Sequence, residues 1–104
     1  QVSLKTVKED KFSLEKISEY LAEKLNIVEH KLVIGVENMH MTSNEEANDS
    51  RRFGYIPEEC IKFMQLLASK CKHEVGINFD IGHARNNAPY SQKYQISTWF
   101  FYLL

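Results

Sequence analysis

Two carboxylates and one imidazole stand out because each follows a short apolar run. Residues 32–36 (LVIGV) are apolar at every position and largely β-branched, and they lead into Glu37. Residues 75–79 (VGINF) lead into Asp80, and His83 follows three residues later. Such runs read as strands buried on both sides of a parallel sheet. In parallel α/β folds, functional side chains collect at the carboxyl ends of the strands. If the two strands are neighbours, spaced about 4.8 Å apart, the two carboxylates stand about 5–8 Å apart. Anions that close repel unless one is protonated or a cation lies between them. Zn²⁺, Mn²⁺ or Mg²⁺ resolves this directly, since carboxylate oxygens bind such ions at about 2.0–2.2 Å. The same pattern also fits two acidic residues that only cap the loops after their strands.

Other polar residues lie near these in sequence. His40 follows Glu37 closely enough to face the same site, although a solvated loop position suits it as well. Arg51 and Arg52 could meet a phosphate, but Glu45, Glu46 and Asp49 partly cancel their charge, and a solvated loop is the stronger reading. Phe53 and Tyr55 could cover a substrate or anchor the loop. His30 and His73 precede the strands, at the end of a parallel fold associated with stability, and read as surface residues. No Gly-rich phosphate loop, zinc-finger spacing or serine nucleophile motif is present.

The elements that must position these groups are legible in the periodicity. Leu14, Ile17, Leu21 and Leu25 recur at helical spacing, with Ser13 as N-cap, Phe12 and Ile17 as a staple across it, and Asn26 as the stop. Pro57 opens a second helix, Glu58 and Glu59 favour its positive end, and Cys60, Ile61, Met64, Leu67, Ala68 and Cys71 form its buried stripe. Residues 38–55 and 81–91 read as polar loops, and residues 92–104 as a closing helix with Ile96, Trp99, Phe100, Leu103 and Leu104 on one face. Residues 1–12 have no clear pattern. The order helix, strand, helix, strand, helix is that of a parallel α/β fold. Two parallel strands cannot hide their own edges, so the expectation is a segment of a larger α/β domain, or one that self-associates.

Composition narrows the function. The 104 residues carry 13 Lys and Arg against 14 Asp and Glu, a net charge of −1, which argues against a dedicated nucleic-acid binder. No apolar run approaches the roughly 18 residues of a membrane helix. Cys60 and Cys71 fall on one helix about 16 Å apart along its axis, too far to form a disulfide. Buried free thiols suggest a reducing compartment, the cytosol.

The stretches GVEN (35–38) and VGINFDIGHA (75–84) resemble two signature segments of the xylose-isomerase-like TIM-barrel superfamily, which includes sugar isomerases and epimerases and endonuclease IV-type repair enzymes. The resemblance covers about residues 13–104, and the Asp-x-x-His stretch is its most specific part. It implies a partial (β/α)8 barrel of two to three βα units with parallel strands near 32–37 and 75–80. It implies that Glu37 and Asp80 ligate a divalent metal (Mn²⁺, Zn²⁺ or Mg²⁺) and that His83 binds either a second metal or a substrate hydroxyl. In the isomerase branch the substrate is a sugar or sugar phosphate, Glu37 doubles as an acid/base carboxylate, and His40, Arg51 and Arg52 are further substrate-binding candidates. The endonuclease branch would act on DNA through several zinc ions. A further His and Glu, which the family draws from later strands, have no counterpart here. The chain alone is therefore expected to be inactive, and a non-catalytic interaction module is a third reading.

Overall fold

A computed structural model of the chain describes residues 10, 13–40, 53–85 and 96–103. Its elements are helix α1 (Ser13–Asn26), strand β1 (Val33–Glu37), helix α2 (Pro57–Lys70), strand β2 (Glu74–Asn78), helix α3 (Ile81–Arg85) and helix α4 (Ile96–Leu103). Among the described residues, the architecture is mixed α/β: four helices and a two-stranded parallel sheet. None of these helices is long and apolar enough to cross a membrane.

The strands are neighbours and parallel, as their flanking helices require. Val33 is opposite Glu74 and Glu37 is opposite Asn78. Gly35 is needed in this ladder, since a Cβ there would stand 2.8 Å from the Asn78 Cβ. Burial on both faces, however, is not observed. Ile34, Val36, Val75 and Ile77 are half-buried, whereas Val33, Gly35, Glu37, Glu74 and Asn78 are exposed. Helix α2 packs on both strands and α1 packs on α2, so the helices cover one face. Among the described residues nothing covers the other.

Helix α1 begins at Ser13 and ends at Asn26, but Ser13 does not cap it. Ser13 is the first helical residue, its N–H donates to Asp10 O at 2.9 Å, and its buried Oγ has no hydrogen-bond partner among the described residues. Phe12, the other half of the expected staple, lies outside the described residues. The buried row of α1 is Leu14, Ser18 and Ala22, one step around from the Leu/Ile stripe. Small side chains allow a close approach, and Ser18 Oγ satisfies itself on Glu15 O at 2.8 Å.

Pro57 takes the first position of α2, after Ile56. Cys60 and Leu67 are buried as expected, Ile61, Met64 and Cys71 are half-buried, and Ala68 is exposed. Both cysteines are free.

One difference concerns the C-terminal third. Residues 81–85 form a short helix, not a loop. Asp80 Oδ1 accepts the His83 N–H at 2.9 Å and Asp80 O accepts the Ala84 N–H at 3.2 Å, which caps and starts α3. Ala84 is fully buried in a cluster with Cys60 and Trp99 that also takes in Ile77, Phe79, Ile96 and Leu103. The closing helix is described from Ile96, and residues 92–95 and Leu104 lie outside the described set. Trp99 stacks on Phe79 with ring centroids 5.2 Å apart, and Phe100 meets the same ring edge-on at 5.7 Å.

Candidate metal centre

Glu37 ends β1, and Asp80 lies two residues past β2, so the sheet register brings both to its carboxyl edge. One turn of α3 then returns His83 towards Asp80. The ligand atoms of Glu37, Asp80 and His83 all lie within 4.8 Å of one another. Ligands at about 2.0–2.2 Å from a tetrahedral ion stand about 3.5 Å apart, so small side-chain rotations, chiefly of the exposed Glu37, would close the group around one ion.

The hydrogen bonds sort the atoms by task. Asp80 uses Oδ1 as the cap of α3, which leaves Oδ2 turned to His83 Nε2 at 3.7 Å. His83 Nδ1 lies 2.6 Å from Asn38 O. A carbonyl only accepts, so Nδ1 carries a proton, and Nε2 is the ring nitrogen turned to Asp80. A ring nitrogen tied to a main-chain carbonyl, with the other nitrogen free to coordinate, is the usual arrangement of a metal-binding histidine. Among the described residues the Glu37 carboxylate makes no hydrogen bond or ion pair. The donor set, one imidazole nitrogen and two carboxylates, suits Zn²⁺ or Mn²⁺ better than an all-oxygen ion.

His40 stands with its ring centroid 4.8 Å from that of His83, so it belongs to the same neighbourhood. Arg51 and Arg52 lie outside the described residues. Tyr55 is buried against Met39 and Ile56 and anchors the chain there. His30 is exposed, as expected, but His73 is buried. Leu32 N–H donates to His73 Nδ1 at 3.1 Å, so the proton sits on Nε2, which donates to Leu25 O at 2.8 Å. His73 joins the entry of β1 to the end of α1, a structural task at the end remote from Glu37.

Two features were not read from the sequence as parts of the site. Asn38 is fully buried and ties its side-chain amide to the main chain of Asp80. Gly54, at φ +104°, forms a clasp: its N–H donates to Glu59 Oε1 at 2.8 Å, and its carbonyl accepts from Met39 N–H at 2.9 Å and Cys60 Sγ at 3.0 Å. An Asn directly after a strand, and a Gly before a proline-started helix, were the available signals. Their partners are set by tertiary structure.

A cavity of about 260 Å³ opens beside Glu37 on the helix side of β1, lined largely by apolar groups such as Leu14, Ile17, Val36, Met39 and Phe63. Its wall is too poor in hydrogen-bonding groups for a sugar, and of Glu37, Asp80 and His83 it takes in Glu37 alone. Comparisons with family models, with curated proteins and with solved structures find no match to this chain.

Proposed function

We propose that Glu37, Asp80 and His83 form a divalent-cation site at the carboxyl edge of a parallel sheet, within a partial (β/α)8 barrel of the xylose-isomerase-like kind. The observation that carries this reading is the convergence of three ligand atoms within 4.8 Å, with His83 already presenting the nitrogen it would use. The exposed face of Val33, Gly35 and Glu37 supports the barrel reading, since that face would line a barrel interior. The sequence resemblance of residues 35–38 and 75–84 supports it independently.

The proposed activity of the parent fold is isomerisation or epimerisation of a sugar or sugar phosphate. A bound divalent cation would polarise the substrate's oxygens and so acidify the C–H next to its carbonyl. The exposed Glu37 carboxylate would accept that proton and, in isomerisation, return it at the neighbouring carbon while the hydroxyl proton passes to the former carbonyl oxygen; epimerisation would need a second acid, on the opposite face of the same carbon. Asp80 and His83 are held by Asn38 and by the α3 cap, and their part is to hold charge and geometry. The near-neutral chain favours a small substrate over DNA.

Titration with Mn²⁺ or Zn²⁺, followed by calorimetry, tests the reading. One ion per chain is expected, with binding weakened at least about tenfold in Glu37→Gln and Asp80→Asn. A sugar phosphate added to the ion-loaded chain should raise the melting temperature. Absence of cation binding by the unaltered chain would rule the site out.

A further inference from the structure

Asn38 is among the largest fully buried side chains of the chain, and it is polar. Its Nδ2 donates to Asp80 O at 3.1 Å and its Oδ1 accepts the Asp80 N–H at 2.6 Å. The side-chain amide thus takes the place of a peptide group and extends the β1–β2 ladder past its last main-chain pair. Its own carbonyl accepts the His83 Nδ1–H at 2.6 Å. One residue therefore holds both ligands that come from the second half of the site.

We propose that Asn38 is the positioning residue of the cation site, an inference that rests on the cation reading above. The amide sets the Asp80 peptide, and with it the start of α3 and the side on which Oδ2 emerges. The carbonyl selects the His83 tautomer and leaves Nε2 to coordinate. The two actions are linked, because the amide bonds to Asp80 hold the Asn38 backbone, and so its carbonyl, against α3. Replacing the side chain by a methyl group leaves the Asp80 N–H without its partner and the Asp80 C=O with the Ala84 N–H alone, and lets the residue 38 carbonyl drift from His83.

The chain contains its own control. Asn26 makes the same pair of bonds at the opposite end of the strands, Nδ2 to Lys70 O at 3.0 Å and Oδ1 from Lys72 N–H at 2.8 Å. Both asparagines bridge main chain more than 40 residues away, Asn38 fully buried and Asn26 half-buried, so loss of either should lower stability, Asn38 the more. Only Asn38 touches the ligands. A merely structural role for Asn38 predicts that Asn38→Ala, like Asn26→Ala, loses stability while keeping the His83 tautomer and the cation affinity.

The experiment combines ring ¹⁵N NMR of His83 in the metal-free chain with Zn²⁺ titration of the chain, Asn38→Ala and Asn26→Ala. The unaltered chain should show the Nδ1–H tautomer of His83. Asn38→Ala should shift it to the mixed tautomers of an unrestrained imidazole and weaken Zn²⁺ binding about 10–100-fold, the usual effect of losing an outer-shell partner. Asn26→Ala should lose stability while keeping tautomer and affinity. Equal affinity and tautomer in Asn38→Ala and the unaltered chain would overturn the proposal. An Nε2–H tautomer in the unaltered chain would overturn it even if Asn38→Ala did not fold. If the unaltered chain shows Nδ1–H but binds no Zn²⁺, the cation reading fails, and the positioning role fails with it.

Discussion

Cys60 and Cys71 differ in surroundings although one helix carries or ends at both. Burial pushes the Cys60 thiol up from 9.0 to about 12, and the neighbouring Glu59 carboxylate adds to the rise. The folded chain holds this proton more tightly than the unfolded chain does. The stability linked to it is therefore complete below about pH 9 and is lost as pH climbs towards about 12. Melting curves across that window should fall less steeply for Cys60→Ala than for the unaltered chain. At pH 8 a thiol reagent should modify half-exposed Cys71 quickly and Cys60 only on unfolding. At this scale the sequence was legible in placement: Glu37, Asp80 and His83, singled out by their positions at and after the two apolar runs, do lie together. Asn38 and His73 could not, because their partners lie more than 40 residues away and are main-chain atoms, which leave no trace in side-chain chemistry.

At the scale of elements, periodicity located α1, α2 and both strands to within a residue or two, and the parallel pairing followed from their alternation. Two things escaped it. The α1 stripe is turned by one position, because Ser18 and Ala22 are small enough to face the neighbouring layer and Leu21 is not needed there. Helix α3 is too short to show a period and is started by the Asp80 cap, a local hydrogen bond rather than a pattern. His73 is the joint between α1 and β1, and its loss should be felt there. His73→Ala leaves the Leu32 N–H without its partner and the Leu25 carbonyl with the Val28 N–H alone, and should lower stability by about 1–3 kcal/mol, read from urea unfolding. Cation affinity should be unchanged in that variant, since the joint lies at the far end of the sheet from Glu37.

The molecule as a whole is a slab, 43 × 31 × 18 Å, the thickness of a sheet with one layer of helices. Its C-terminal helix hangs on Trp99, which is completely buried against Phe79, so Trp99→Ala should cost about 3–5 kcal/mol, a large share of a small domain's stability. Outside that contact the slab exposes Val33 at 77% and Phe101 at 82%. Such apolar surface favours self-association, and sedimentation should show concentration-dependent oligomers that Phe101→Ser reduces. The expectation of strands covered on both sides failed at this scale, because apolar strands record the demand for cover and not its source. The Gly54 clasp has a consequence for how such a molecule can evolve. Met39 N–H and the Gly54 carbonyl are joined directly, which pins both ends of the chain between them two residues from Glu37. Doubling a closed excursion of this kind costs only about 0.6 kcal/mol of chain entropy. Changes in the length of the sequence between the pins can therefore accumulate over generations with little effect on the strand ends, so Glu37, Asp80 and His83 stay in register.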